Sequence, residues 1–444
     1  MEQRAVQRQS GVTLIELMVA MVLGLLVAGG IVTVFSSTSS SNKAQLQLVR
    51  LQEEGRFAIT RLTGDLRMAN GQYCSSTGGV ATNTGSNQLY MDSLRAPKVY
   101  AKDLIGALSD VTTQWAASPY PAAPIAPYYL PAFLSMRGYD CTKTACTPVD
   151  PHATVPGIPA MGTTVGDRVL GTSILTVRYM NSSRGWALDG INTKSTANAA
   201  GNLASVTVSP AAGEPPLADF KAGDLAMLAD CSNAQIFAVS APSSGVMAVD
   251  GANNFSGSAP INQQPQSAPR LFDLNSDLLT VTYYLQVVDN GNGQKTGALM
   301  RRVNGTAEEI VRGVERLNFL YGVEDNNGNT RYLSAADVDS RVSGALNCPP
   351  SVPNAGSSAP SINPVGCMWR AVKSIDVRIL MDGQVPLYTL AANDLGFTYA
   401  SDGNTTPKPP DDGSRAVTPT DQGFVNQMLR REFSALVSVR NYNP

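Results

Sequence analysis

Glu16 is the one charged side chain in the apolar run Val12–Phe35, VTLIELMVAMVLGLLVAGGIVTVF. The run exceeds the ~20 residues that span a bilayer as a helix. A charged group at mid-membrane costs roughly 2.5–3.5 kcal/mol on translocon-type scales, so an acid placed there needs a partner. The chemistry implied is ion pairing in a medium of low dielectric constant. A cation one helical turn away, on the same helix face, would serve as that partner. An acid in the first turn also suits the helix dipole.

Other reactive constellations are missing. The chain has one histidine, His152, in the loop-like stretch VDPHATVPG, which reads as a solvated residue and excludes multi-histidine metal sites. Six cysteines, Cys74, Cys141, Cys146, Cys231, Cys348 and Cys367, show no C-x-x-C spacing, so no zinc site is expected. Neither a P-loop, a G-x-S-x-G elbow nor a dinucleotide fingerprint occurs. The loops Asp289–Gly293 and Glu324–Asn329 are acidic and rich in Gly and Asn, but they lack EF-hand spacing and read as β-turns. We therefore expect no enzyme activity, no metal and no cofactor. The formal net charge of −2 gives no electrostatic case for binding nucleic acid.

The segment Gly11-Val12-Thr13-Leu14-Ile15-Glu16-Leu17 with its apolar tail resembles the class III signal of type IV pilins and type II secretion pseudopilins. The resemblance implies that a prepilin peptidase cuts between Gly11 and Val12 and methylates the new Val12 terminus. It also implies assembly roles for Thr13 and for Glu16, whose carboxylate neutralises the N-terminus of an adjacent subunit as helices bundle. An ordinary secretory signal has an apolar region of about 7–15 residues with a small-residue cleavage site after it. This run is longer, and such a signal leaves Glu16 unexplained. Arg4 and Arg8 against Glu2 in the leader predict that residues 1–11 stay cytoplasmic and that the chain after Phe35 crosses to the periplasm.

The elements that position this terminus follow from periodicity. Beyond Phe35, Ala58, Leu62 and Leu66 recur at helical spacing, with Leu51 and Phe57 nearby and Glu54, Arg56, Arg61, Asp65 and Arg67 on other faces. A helix from about Thr13 to Met68 is expected, roughly 80 Å long, with residues 12–35 in membrane or filament core and 36–70 packing on a sheet. Gly24, Gly29 and Gly30 suggest local unwinding or close helix packing. Residues 71–270 read as a loop-rich, partly β insertion with strand candidates Ile174–Met180 and Asp224–Val239. Its aromatic residues Trp115, Tyr120, Tyr128 and Tyr129 read as pinning a loop to the body. Residues 271–444 read as an antiparallel β head, with strands at Leu278–Val288, Leu299–Val303, Val314–Val323 and Val372–Met381. Met428–Asn441 is open between strand and helix. The fold class is α+β.

An exported chain favours disulfides. Proximity favours Cys348–Cys367 and Cys141–Cys146, leaving Cys74 with Cys231, although six cysteines allow 15 connectivities. Three segments narrow the resemblance to the PilW family of minor type IV pilins: EEGRFAITRLTGDLRMAN, GDLAMLADCSNAQIFAV and LRREFSALVSVRN. That family implies a type IV pilin-like fold and a place in the initiation complex that primes the pilus and supports twitching motility and adhesion. The implied partners are other minor pilins, the major pilin, a tip adhesin, the prepilin peptidase and the inner-membrane assembly platform. The implied location is the inner membrane and then the pilus tip at the cell surface. Two alternatives stand beside it: a J-type minor pseudopilin of a type II secretion system, and a pilus-borne adhesin or DNA-uptake module built on the insertion.

Overall fold

A computed structural model describes residues 11–71, 97–108, 115–116, 122–340 and 366–439, apart from positions 156, 222, 231–232, 292, 325–327 and 389. Helix α1 runs unbroken over Leu14–Leu66, 53 residues, or about 80 Å at ~1.5 Å per residue. Of the two readings of Gly24, Gly29 and Gly30, local unwinding is not found, and a Cβ at any of the three would meet nothing within 4 Å. The first half carries no buried residue, and α1 is long and apolar enough to cross a membrane.

The second half of α1 lies across the meeting line of two antiparallel sheets. One runs in the order Thr306–Arg312, Lys295–Val303, Leu278–Asp289, Ile174–Met180, Met136–Cys141 and Cys146–Thr147. The other runs Thr330–Leu333, Val314–Glu324, Val372–Asp382 and Arg430–Ser438. Leu51, Ala58, Leu62 and Leu66 face this joint core and are essentially inaccessible. Each buried leucine contributes roughly 1.5–3 kcal/mol, so this stripe holds the helix down. Phe57 falls off the stripe and is exposed. Gly55 marks the closest crossing: a Cβ there would stand 2.5 Å from the Phe433 ring of the last strand.

Residues on both sides of position 270 build the first of these sheets, because Ile174–Met180 pairs along Leu278–Tyr283. A second pair of sheets sits beside this core. Leu225–Ala229 and Ala234–Ala238 form a hairpin within a six-stranded sheet, where a single strand was expected across Asp224–Val239. The short pairing of Lys98–Val99 with Gln235–Ile236 is one of the parallel contacts in a fold otherwise built of antiparallel ladders. The last segment resolves as a strand, Arg430–Ser438, pairing along Val372–Asp382.

Asp65 corrects the sequence reading. Its place among charged residues put it on an outer face, yet it lies one turn past Leu62 on the edge of the buried stripe and is 7% exposed. Arg301 Nε donates to its Oδ2 at 2.7 Å, Tyr283 Oη at 2.6 Å, and Tyr179 Oη donates to its Oδ1 at 2.8 Å. Burial alone would raise the pKa of this carboxyl, but these donors outweigh burial and hold it below the usual carboxylate range. A carboxylate with a depressed folded-state pKa stabilises the fold above its unfolded pKa and loses that contribution as the pH falls through the folded value.

Asp65→Ala leaves Arg301 with Glu308 alone and takes the shared acceptor from the Tyr179 and Tyr283 hydroxyls, and is expected to destabilise the protein by about 1–3 kcal/mol, read by chemical denaturation at neutral pH. The difference between wild type and Asp65→Ala should shrink on acidification below about pH 4; a difference independent of pH contradicts this role. Gly55→Ala is expected to cost about 1–3 kcal/mol through overpacking against Phe433, measured the same way.

Candidate functional site

Residues Gly11–Thr13 are not helical, and Thr13 has φ −71° and ψ 152°, so the backbone enters α1 extended. The Gly11–Val12 peptide bond therefore lies just outside the helix, in exposed chain of the kind a protease can bind. Thr13 is the N-cap: its Oγ1 accepts from the Glu16 N–H at 3.3 Å. In return, Glu16 Oε2 accepts from the Thr13 N–H at 3.0 Å and from Thr13 Oγ1 at 2.9 Å. The pair forms a reciprocal capping box.

This geometry brings Thr13 and Glu16 together and sets Val12 immediately before them. It satisfies the backbone N–H groups of Thr13 and Glu16 without water, which matters because a helix end leaves four N–H groups unmet. Both of the contacts that hold the carboxylate use Oε2, so Oε1 remains open to a cation. Around the box, Val12, Leu14 and Ile15 are each more than 70% exposed, as a terminus awaiting helical neighbours requires. The capping box was legible in the sequence as T-x-x-E before an apolar run, although the reading above took Thr13 and Glu16 only as an assembly pair.

The remaining candidates are dispersed. Cys141 and Cys146 form a disulfide across the hairpin joining Met136–Cys141 to Cys146–Thr147. Cys74, Cys231 and Cys348, together with the Cys367 side chain, lie outside the described residues, as does Tyr120. His152 is not simply solvated: its Nδ1 is 2.6 Å from the Ile158 carbonyl, and it sits in a short 3-10 turn. Trp115 stacks edge-on to Tyr128 and Phe133, with ring centroids 5.6 and 5.9 Å away, which ties its loop to the body. Among the described residues no group of His, Cys, Asp and Glu is arranged to hold a metal.

Residues 6–32 match the family model of the prokaryotic N-terminal methylation motif, and residues 282–441 match that of type IV pilus-assembly protein W, PilW. No curated protein and no solved structure matches the chain. The first match covers the capping box and the apolar half of α1. The second starts inside the strand Leu278–Asp289 and runs through the last strand, over much of the core that α1 packs on. Together they support a PilW-like minor pilin of type IV pili, anchored by its apolar N-terminal helix.

Thr13→Val removes the hydroxyl from both sides of the box, a loss of about 0.5–2 kcal/mol for an N-cap. Hydrogen exchange in detergent micelles is expected to show faster exchange at the Glu16 amide in this variant and wild-type protection in Thr13→Ser. Unchanged protection in Thr13→Val would show that the box does not hold the first turn.

Proposed function

We propose that this PilW-like chain works with other minor pilins in the inner-membrane complex that starts a type IV pilus, and then stays near the pilus tip. The prepilin peptidase cleaves between Gly11 and Val12 and methylates Val12. The head faces the periplasm, and the apolar half of α1 is drawn from the membrane into the filament core. The reading rests above all on one arrangement. Glu16 sits at the first turn of a wholly exposed apolar helix, and the second half of that same helix is locked into a folded head.

The chemistry is non-covalent after processing. While the precursor is intact, Glu16 is held by Thr13, so the carboxylate crosses the membrane interface with part of its hydrogen bonding met. Once Val12 bears an ammonium, the open Oε1 gives that cation, or the one on a neighbouring subunit, a partner. Opposite charges in a low-dielectric bundle attract far more strongly than in water, which favours one axial register between helices. Contacts with the major pilin, a tip adhesin and the assembly platform then fall to the head and to the exposed face of α1.

A minor pseudopilin of a type II secretion system would use the same N-terminus. The match over residues 282–441 favours the pilus. Loss of twitching motility on deletion, with protein secretion intact, supports the pilus; the reverse pattern supports the pseudopilin.

Glu16→Ala, expressed at native level, is expected to insert in the membrane and be cleaved normally. It should co-purify far less with the other minor pilins and lower surface piliation. Normal complex recovery and piliation in this variant would remove the charge-pairing role.

A further inference from the structure

Two carboxyls meet in the core beneath the turn that joins the head to α1. Glu315 is the second residue of the strand Val314–Glu324, Asp382 is the last of Val372–Asp382, and both are buried. Val314 pairs with Met381, so the two acids stand at the same end of this ladder, and their side chains are hydrogen-bonded to each other. An ionised carboxyl has no donor, so such a bond needs a proton shared between the two. One cation answers the pair: Arg430 donates through Nε to Glu315 Oε2 at 2.7 Å and through Nη2 to Oε1 at 2.9 Å.

The other charged groups around the pair are committed elsewhere. Arg316 and Arg415 both donate to Asp402, Arg312 pairs with Glu309, and Lys295 Nζ donates to the Thr163 carbonyl at 2.9 Å. On the helix side, Arg50 pairs with Glu54 at 2.7 Å. With both carboxyls ionised, the cluster would hold two buried negative charges against one guanidinium, a costly arrangement away from water. Burial first, and then the Asp382 carboxyl, push Glu315 up to about 7 against the pull of Arg430.

A second set of contacts runs from Asp382 to the helix. Its Oδ2 accepts from Thr296 Oγ1 at 2.7 Å, and its Oδ1 accepts from the Gln384 N–H at 2.7 Å. Gln384 has φ 59°, a left-handed conformation that a residue with a side chain keeps only when its surroundings impose it. Three contacts link this turn to α1. Gln384 Nε2 donates to Glu54 Oε2 at 2.9 Å, Arg50 Nη2 donates to Gln384 Oε1 at 3.2 Å, and Gln47 Nε2 donates to the Val385 carbonyl at 2.8 Å.

We propose that Glu315 and Asp382 form a proton latch for α1: sharing one proton, they let Asp382 hold the Gln384 turn against the helix, and when that proton passes to water the repelled Asp382 gives up the turn. The apolar stripe Leu51, Ala58, Leu62 and Leu66 keeps the helix on the head in both states, so the latch sets how tightly the Gln47–Glu54 stretch is held. The direction is opposite to that of Asp65. A carboxyl whose folded-state pKa is raised supports the closed state fully below its ordinary value of 4.5 and loses that support as the pH rises through about 7.

Hydrogen exchange of the full chain in detergent micelles, corrected for intrinsic rates, tests this at the Gln384 amide. Its protection is expected to be about tenfold or more lower at about pH 8 than at about pH 5 in the wild type. Asp382→Asn keeps an oxygen for the Gln384 N–H and an N–H for Glu315 without needing the proton, and should hold its protection at both values. Glu315→Gln leaves one carboxylate with Arg430 and should likewise lose the pH dependence, so either variant serves if the other fails to fold. Glu54→Ala, which cuts a tie from Gln384 to α1, should lower the unfolding midpoint more at pH 5 than at pH 8. Equal wild-type protection at both values overturns the proposal, as does a wild-type pH dependence in either variant, or an equal midpoint loss for Glu54→Ala.

Discussion

Helix α1 meets two environments within one run of 53 residues, and the head is arranged around that demand. Its first half is apolar and unburied, ready for lipid or for other helices. Its second half is held against the folded head. Hydrophobic contact through Leu51, Ala58, Leu62 and Leu66 supplies most of the grip, but such contact is non-directional and permits sliding. Asp65 adds direction. Bound by Arg301, Tyr283 and Tyr179 from three consecutive strands of one sheet, it fixes rotation and height together.

The same logic of directed polar contacts inside an apolar setting recurs through the head. Glu315 is fully buried, yet Arg430 grips it with two bonds of 2.7 and 2.9 Å where the last strand begins. Arg137 pairs with Asp339, and Trp369 Nε1 donates to the same carboxylate at 3.1 Å. Buried ion pairs add little net stability over apolar packing, but breaking one is costly.

Much of this was legible in the residues. The helix was readable because its apolar spacing changes from a continuous run to a single stripe, and Ile174–Met180 was readable because it is a β-branched and aromatic run bounded by turn residues. The turn chemistry at Asp289–Gly293 announced the hairpin between Leu278–Asp289 and Lys295–Val303. Three things were not legible. Asp65 carries no mark of burial, because its partners lie more than a hundred residues away in sequence. Thr306–Arg312 centres on two adjacent acids and buries only Val311, so no alternation marks it as a strand until its neighbour is known. The splitting of Asp224–Val239 into two strands depends on a tight reversal that apolar content alone does not reveal. At the N-terminus the capping pair was legible, since Thr13 and Glu16 stand three apart immediately before an apolar run.

The central claim is that the exposed Gly11–Val12 bond is cut and that the chain then enters a filament by its new terminus. Mass spectrometry of sheared surface filaments, covering the N-terminal peptide, tests it most directly. The account predicts low-abundance protein whose first residue is N-methylated Val12. An intact Met1 terminus, or a first residue beyond Ser36, would contradict it.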